Sequence, residues 1–199
     1  MPPLKRCEWC ESSDLYRTYH DTEWGIPSFA DLKHFEFLVL ESAQAGLSWI
    51  TILKKRENYR RAYDGFDPVK VARYGEKKKN ALLADPGIVR NRLKIEASIN
   101  NAVCFLELQK EFGSFSDYIW AFTKGKPIMG KWKTLAEIPA KTDLSDLIAA
   151  DLKKRGFKFL GSIILYSHMQ ATGIVNDHLA GCFRYRELKN RKQPCDLTL

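Results

Sequence analysis

Long apolar runs are missing from this 199-residue sequence. No stretch approaches the ~20 consecutive apolar residues that a membrane-spanning helix needs, so no membrane span is expected. Segments in which apolar and polar residues alternate are missing as well, which argues against a β-sheet. There is no internal repeat, and no change of composition is strong enough to mark a linker. The sequence therefore predicts one compact all-α unit over residues 1–199.

Cysteine is scarce and odd in number, and the five residues lie far apart at Cys7, Cys10, Cys104, Cys182 and Cys195. Such a set, with no signal peptide ahead of it, does not fit a disulfide framework. A chain of this length buries enough apolar surface to fold without disulfides. We therefore expect a reduced protein of the cytoplasm.

Acidic residues are outnumbered by basic ones. The 32 Lys and Arg residues against 24 Asp and Glu residues give a formal net charge of +8. This excess favours a polyanionic partner such as a nucleic acid. A solvated surface without any such partner has the same composition, so charge alone leaves both interpretations open.

Helical periodicity dominates the rest of the sequence. It predicts helices over residues 31–44, 48–63, 67–74, 76–84, 91–112, 114–122, 143–155, 161–172 and 176–186. The basic stretch 123–139, which contains Gly and Pro, is predicted to be a loop. Residues 1–30 have aromatic and ligand-type side chains but little periodic apolar content. The polar tail 187–199 is expected to fray.

One helical stretch contains a glutamate where an apolar residue is expected. The run 35–40 is largely apolar, as in a buried helix, and Glu41 follows on the face that Phe37 occupies. A buried carboxylate is costly unless it has a partner. Gln44 comes three residues later, followed by a flexible, glycine-containing break and then Trp49. This arrangement calls for a reason to bury polar groups around a kink.

A flat binding slot is one such reason. Four aromatic residues are suited to wall it, namely Trp9, Tyr16, Tyr19 and Trp49. A flipped nucleobase needs stacking faces and an acceptor at its edge, and Glu41 would be that acceptor. Leu47, at the tip of the break, is suited to fill the gap that the base leaves in a duplex. The alternative is an ion-paired Glu41 in an ordinary core, with aromatic residues that only pack.

Residue types that bind metals occur near both ends of the chain. His178 and Cys182 are four residues apart, so on a helix they would share one face and bind one metal. Cys7 and His20 offer a second pair, and four such ligands form a closed, structural zinc site. Cys10 is a competing ligand because it forms a C-x2-C pair with Cys7. The alternative is a few buried cysteines and a surface histidine.

Residues 152–173 are predicted to form two helices joined by a tight turn between Gly156 and Gly161. In a helix-hairpin-helix, exposed backbone N–H groups and the next helix N-terminus form a phosphate site. The counter-charge would come from Lys153, Lys154, Arg155 and Lys158. Contacts here would position DNA without reading its sequence. The alternative is an ordinary interhelical turn with solvated lysines.

Five segments follow one another along the chain: YHDTEWGIP at 19–27, LESAQAGLSWITILKKRENYR at 40–60, FDPVKVA at 66–72, LKKRGFKFLG at 152–161 and MQATGIVNDHLAGC at 169–182. In this order, and over essentially the whole chain, they resemble the 3-methyladenine DNA glycosylase I family. The resemblance is specific because it joins a Q-A-G-L-S-W segment to a V-N-D-H-x3-C segment.

The resemblance implies a helix-hairpin-helix DNA glycosylase with one structural zinc per chain, which ties residues 1–30 to the last helices. Carried over by position, the zinc ligands are Cys7, His20, His178 and Cys182. Cys10 is then an extra thiol. The base-binding residues are Trp9, Tyr16, Tyr19, Glu41 and Trp49. The expected DNA contacts are Leu47, Lys153, Lys154, Gly156, Lys158 and Gly161. Ala149 and Ala150 replace a usual Ser-Lys pair, which puts one phosphate contact in doubt.

The resemblance also implies a reaction, the hydrolysis of 3-methyladenine from alkylated double-stranded DNA with the free base as product. This base is cationic in DNA, so its N-glycosidic bond is weak and selectivity comes from recognition. Glu41, the expected catalytic residue, would meet the amine and N7 edge. Whether it also activates water stays open. No lysine nucleophile is evident, and Asp177 is interpreted as support for His178, so a monofunctional hydrolase is expected.

Two other functions stay open. A non-enzymatic, zinc-containing nucleic-acid-binding module would explain the charge and the hairpin, but it would not explain Glu41. A glycosylase for another alkylated purine would have the same motifs. The expected protein is a monomer that acts at the bacterial nucleoid, without a membrane partner.

Overall fold

The computed structural model describes residues 4–191. Its α-helices are α1 (Asp14–Thr22), α2 (Asp31–Gln44), α3 (Trp49–Ala62), α4 (Pro68–Val71), α5 (Glu76–Ala84), α6 (Arg92–Phe112), α7 (Phe115–Ala121), α8 (Asp143–Lys154), α9 (Ser162–Ala171) and α10 (Phe183–Lys189). Short 3₁₀ segments are Glu8–Ser12, Asp64–Phe66 and Leu135–Glu137. The strands are β1 (Ile128–Met129) and β2 (Val175–Asn176). The mostly helical architecture agrees with the predicted class.

Helix α2 is the buried helix that its apolar run predicts. Every residue from His34 to Ala43 is buried, and the helix packs against α3, α6, α7 and α9. Phe35 meets Phe105 of α6 edge-on, with ring centroids 5.2 Å apart. Fully burying one such side chain contributes ~1.5–3 kcal/mol. Because α2 is enclosed by four helices, its carboxyl end lies at a fixed place, and that end carries Glu41.

The start of α2 is also fixed by tertiary contacts. The Asp31 carboxylate accepts hydrogen bonds from the backbone N–H groups of Phe115 and Ser116, at 2.9 and 2.8 Å. These N–H groups open α7, where a helix has no internal acceptors for them. One carboxylate therefore begins α2 and caps α7. The other end of α2 breaks at Gly46, whose φ of +82° suits glycine.

Two short strands were not expected from the sequence. They pair in parallel, Ile128 with Val175 and Met129 with Asn176. Each strand has two residues, which is too short for an alternating pattern to show. The stretch 123–139 is consequently not entirely a loop, because it contains β1 and a 3₁₀ turn.

The predicted helix over 176–186 is wrong. Asn176 belongs to β2, a turn follows it, and α10 begins only at Phe183. The Asn176 side chain accepts a hydrogen bond from the His178 N–H at 3.2 Å, a local bond that competes with helix formation. The predicted helix over 67–74 is likewise shorter, since α4 spans Pro68–Val71.

The N-terminal segment contains a helix that its composition did not predict. Ser13 caps α1 by accepting a hydrogen bond from the Tyr16 N–H at 3.3 Å. The backbone that follows α1 is attached to the end of α9. Its Ser28 N–H donates to the Thr172 carbonyl at 3.0 Å, and its Gly25 N–H donates to that of Gln170 at 3.0 Å. The segment is thus held by tertiary contacts.

Gly173 permits this attachment, and its replacement tests it. Its φ is +73°, and a Cβ there would lie 2.3 Å from the carbonyl carbon of Ile26 and the nitrogen of Pro27. Gly173→Ala is expected to destabilise the fold by roughly 2–4 kcal/mol, measured by urea unfolding. Gly125 has the same φ but open space around it, so Gly125→Ala should cost only ~1 kcal/mol. Equal losses of stability in the two variants would show that the backbone at Ile26 and Pro27 moves aside for the added Cβ at little cost.

The carboxyl end differs from the predicted frayed tail over its first residues, because α10 continues to Lys189. The remainder of that prediction, residues 192–199, lies outside the described residues. Within 4–191, no helix combines the length and the apolar character that crossing a membrane requires.

Candidate functional site

Four metal-binding side chains meet where the N-terminal segment contacts the turn before α10. The ligand atoms of Cys7, His20, His178 and Cys182 all lie within 4.8 Å of one another, and all four residues are buried. His178 Nδ1 is 3.1 Å from His20 Nε2, and the Cys182 Sγ is 3.5 Å from the same His20 atom. Two thiols and two imidazoles in this arrangement could hold one metal ion.

The neighbours of the two histidines orient them for this role. His20 Nδ1 contacts the Asp21 carboxylate at 2.7 Å, and Arg6 Nε donates to both oxygens of that carboxylate at 3.0 Å. His178 Nε2 contacts the Trp24 carbonyl at 3.0 Å. Each acceptor takes the ring N–H, so the other ring nitrogen presents a lone pair to the cluster. The residues present therefore fit a metal.

The two cysteines of the cluster also share a proton. A hydrogen bond to Cys182, with burial, raises the pKa of the Cys7 thiol. The same bond, in which the Cys7 thiol donates, lowers the pKa of Cys182. It therefore favours the thiolate of Cys182, which is the form that binds metals. Cys10 stays outside the cluster, because its Sγ donates to the Cys7 carbonyl at 3.0 Å.

The reason given by the sequence for pairing His178 with Cys182 is wrong, although the two residues do meet. They do not share a helix face, since both lie in the turn between β2 and α10. The Cys182 Sγ is 3.7 Å from His178 Nδ1. A tight turn, in which the Cys182 N–H donates to the Leu179 carbonyl at 2.7 Å, brings them together.

A second site lies beside this cluster. It is a cavity of about 220 Å³, here called the base cavity, lined by Trp9, Tyr16, Tyr19, Trp24, Glu41, Gln44, Trp49, Ser167 and Gln170. All five residues predicted for base binding are among them. Its aromatic walls come from the N-terminal segment and α3, and its polar groups come from α2 and α9. The metal cluster and the base cavity therefore share the N-terminal segment as a common wall.

The aromatic residues support one another in fixed orientations. Trp9 meets Tyr16 and Trp24 edge-on, with ring centroids 5.2 and 5.1 Å apart. Trp49 stacks on Phe37 of α2, with centroids 6.1 Å apart and an interplanar angle of 24°. Such pairs contribute ~0.5–1.5 kcal/mol beyond the burial of their area. The walls are thus preorganised for a flat ligand.

Glu41 is the one buried acid of α2 that has no partner among residues 4–191. It is 4% exposed, and burial raises its pKa from 4.5 to about 8. Glu36, on the same helix and 5% exposed, is bound by Arg56 and Arg60, each at 2.9 Å. The sequence did not single out Glu36. The contrast shows that the Glu41 carboxyl is left unpaired in the wall of the base cavity.

Comparison with known proteins identifies this arrangement. The family described as methyladenine glycosylase matches residues 9–185. The chain belongs to this family. It is 50% identical over 182 residues to DNA-3-methyladenine glycosylase 1 of Escherichia coli, covering 92% of this chain and 97% of that relative. It is 45% identical over 177 residues to DNA-3-methyladenine glycosylase of Haemophilus influenzae, covering 89% and 96%.

Solved structures of the family have the same fold. A crystal structure of 3-methyladenine DNA glycosylase I is 49% identical with a TM-score of 0.87, over 90% of this chain and 98% of that one. The Staphylococcus aureus enzyme, whose structure concerns 3-methyladenine recognition, is 35% identical with a TM-score of 0.88 over 96% and 99%.

Three residues of the base cavity in this family member were missed by sequence reasoning: Trp24, Ser167 and Gln170. A signal was present for the last two. They are three residues apart, so on α9 they share one face. Gln44 was noted near Glu41 but was not selected as a site residue, and it lines the cavity too.

Asp177 has a different role from the one predicted. Its carboxylate does not contact His178. It accepts hydrogen bonds from Trp132 Nε1 at 2.7 Å, from the Tyr166 hydroxyl at 2.6 Å and from Gln170 Nε2 at 2.8 Å. Because Gln170 lines the base cavity, Asp177 fixes the orientation of a cavity side chain. With three donors bound and the residue buried, it is not available as a catalytic base.

Leu47 lies exposed at the tip of the turn after α2, as a wedge requires. Lys94 of α6 holds this turn in place, because its Nζ donates to the carbonyls of Ala43 and Ala45 at 2.9 and 2.6 Å. The Leu47 N–H donates to the Gln44 carbonyl at 2.6 Å. The apolar tip therefore projects from a supported turn.

A turn joins α8 and α9 where the sequence predicts one. Its exposed residues include Lys153, Lys154, Gly156, Lys158 and Gly161. The turn is fixed to α6 by Asn101, which accepts from the Lys158 N–H and donates to the Lys158 carbonyl, both at 2.8 Å.

Arg155 is not available as hairpin counter-charge, which corrects the sequence-based expectation. Its Nε donates to Asp151 at 2.8 Å, and its Nη1 donates to Glu111 at 2.7 Å. Ala149 and Ala150 line a hollow together with Lys153, Lys158 and Gly161, and they bring no charge to it.

Proposed function

We propose that this chain is a monofunctional DNA-3-methyladenine glycosylase, which flips the damaged base out of the duplex and hydrolyses its N-glycosidic bond. The observation that carries the proposal is the unpaired, buried Glu41 in a cavity with aromatic walls. The names of its relatives support the same substrate.

Charge explains how the cavity would select its base. Near neutral pH, burial keeps the Glu41 carboxyl largely protonated, because its pKa is about 8. A cationic base stabilises the carboxylate, which then accepts a hydrogen bond from the base edge. Normal adenine offers no such charge, and burying the carboxylate beside it is costly. The aromatic faces of Trp9 and Trp49 add attraction for a cationic ring.

Hydrolysis rather than strand cleavage follows from the lining of the cavity. A lyase needs an amine that forms a Schiff base, and none of the described residues that line the base cavity is a lysine. The alkylated base is already a good leaving group, so little acid catalysis is required. Recognition and exclusion of normal bases are the principal tasks of the side chains.

The metal that fits the Cys/His cluster is zinc, one per chain. Two sulfur and two nitrogen ligands form the closed tetrahedral set of structural zinc sites, without a position for a reacting water. Zinc would hold the N-terminal segment, and with it Trp9, against the turn that carries His178 and Cys182. Its contribution is therefore to the shape of the base cavity.

The turn between α8 and α9 would act as a helix-hairpin-helix that binds the phosphates of double-stranded DNA. Exposed lysines and a helix N-terminus support this role. Leu47 would enter the duplex from the adjacent turn. We expect a monomer that works at the bacterial nucleoid in the cytoplasm, where such DNA is found.

The direct test is the release of free base from methylated duplex DNA by the purified protein. Chromatography should show 3-methyladenine as the product. Release of 7-methylguanine or another purine alone would identify a glycosylase of different specificity. Binding of the DNA without release of any base would favour a non-enzymatic nucleic-acid-binding module.

Binding to undamaged DNA should be governed by the hairpin charges. We expect affinity to fall steeply as the salt concentration rises. Lys154→Glu and Lys158→Glu should each make the negative slope of log K against log salt shallower by about 1. Fluorescence anisotropy at several salt concentrations measures this slope. Lys110→Glu is the control, since Lys110 lies on α6 and pairs with Glu107. An affinity that does not change with salt would remove the hairpin from the DNA interface.

A further inference from the structure

A second cavity adjoins the base cavity. It has a volume of about 180 Å³ and is lined by Glu41, Gln44, Ala45, Gly46, Leu47, Ile163, Ile164 and Ser167. Glu41, Gln44 and Ser167 line both cavities. The two cavities therefore adjoin at these three polar residues, here called the junction, and the base cavity is the inner compartment of the pair.

The second cavity is the outer compartment. Leu47 and Ile163 on its rim are 42% and 59% exposed, whereas Glu41 at the junction is 4% exposed. A nucleotide that enters from DNA remains attached to its strand through the sugar and phosphates. Its base must reach the inner compartment, so its sugar stays in the outer one. The N-glycosidic bond then crosses the junction.

The residues at the junction suit a reaction at that bond. The Gln44 amide and the Ser167 hydroxyl have no hydrogen-bond partner among residues 4–191. By contrast, Ser42 of α2 donates to the Leu38 carbonyl, and Gln170 of α9 donates to Asp177. A water molecule occupies ~30 Å³, so the outer cavity has room for a five-membered sugar and a water. Gln44 and Ser167 both line that space.

We propose that the outer cavity is a deoxyribose subsite and that Gln44 and Ser167 position the water that attacks C1′. The inference rests on the proposed glycosylase function. The C1′–N9 bond breaks, and its electron pair neutralises the cationic base, which leaves as 3-methyladenine. The water oxygen bonds to C1′. The proton that this water loses passes to the Glu41 carboxylate, which lines both compartments.

The test separates the reaction from binding of the base. Ser167→Ala and Gln44→Leu are measured in single-turnover excision from methylated duplex, with enzyme in excess, and in calorimetric binding of free 3-methyladenine. We expect excision to slow by roughly tenfold to a hundredfold, as for a misplaced reactant. The affinity for the free base should stay within about threefold of wild type, because Gln44 and Ser167 lie only at the junction, whereas the aromatic walls and Glu41 supply the main contacts of the base.

Ser116→Ala is the matched control. Ser116 lies on α7, away from the turn between α8 and α9, and lines neither compartment, so the excision rate of this variant should equal that of the wild type. Urea unfolding verifies that each variant is folded. If excision and free-base affinity fall together, Gln44 and Ser167 are only base-binding residues and the inference is overturned. Wild-type excision in both variants also overturns it, whereas an inactive wild-type protein refutes the proposed function itself.

Discussion

Glu41→Gln is expected to reduce excision of 3-methyladenine by roughly one to three orders of magnitude. Glutamine keeps the shape of the side chain but replaces one acceptor oxygen with an amide donor. Leaving that donor mispaired in the base cavity costs ~1–3 kcal/mol, and the lost attraction for a cationic base adds to it. At ~1.4 kcal/mol per factor of ten, this gives the expected range. Single-turnover release of the base measures it, while affinity for undamaged DNA should not change.

The same variant should be more stable than the wild type at alkaline pH. Burial raises the pKa of Glu41 from 4.5 to about 8. Between these two pH values the folded protein keeps a proton on Glu41 that the unfolded chain releases. Wild-type stability therefore falls as the pH rises through this range. Glutamine does not titrate, so the gain should amount to a few kcal/mol, roughly, above pH 8.

Glu36→Gln is the matched control, since it is the same substitution on the same buried helix. Glu36 accepts hydrogen bonds from Arg56 and Arg60, so its loss weakens one charge-assisted bond to each, although Arg56 keeps its pair with Glu23. We expect destabilisation of about 1.5–3 kcal/mol, with little effect on selectivity for the base. Leu47→Ala should impair excision from duplex without weakening binding of the free base. Wild-type excision by Glu41→Gln would show that this carboxyl has only a structural role.

Cys182→Ala is expected to remove the proposed zinc and most of the stability of the fold. Structural zinc sites have apparent binding free energies of ~10–16 kcal/mol, against a total stability of ~5–15 kcal/mol for a typical protein. Losing one ligand of a closed site should therefore lower the unfolding midpoint sharply and release the N-terminal segment to proteolysis. Elemental analysis and thermal unfolding measure the two effects, and His178→Ala should have the same result.

Cys10→Ala is the control for this prediction. The Cys10 thiol donates to the Cys7 carbonyl, so its loss removes one hydrogen bond, worth ~0.5–1.5 kcal/mol, and no ligand. We expect this variant to keep about one zinc per chain. If its zinc is lost while Cys182→Ala retains the metal, the ligand set is wrong.

Most of the helical framework could be predicted because a helix that packs on a core has apolar residues at a regular spacing in the sequence. The run before Glu41 is largely apolar, and α2 is indeed buried on all sides. Where a side chain takes a backbone hydrogen bond that a helix would need, this spacing predicts the wrong structure. Asn176 binds the His178 N–H, and a predicted helix becomes a strand and a turn. In α1 the buried positions include Tyr19 and His20, which apolar periodicity does not count.

The sequence by itself determined the helical class, the burial of α2 and the set of side chains available for the site. Only the tertiary structure decided which of them meet. His20 and His178 are 158 residues apart, yet their ring nitrogens lie 3.1 Å from each other. Glu36 and Glu41 look alike in sequence, but arginines of α3 reach only the first. Periodicity is a property of neighbouring residues, whereas pairing depends on how separate helices pack, and so the unpaired carboxyl became visible only in the fold.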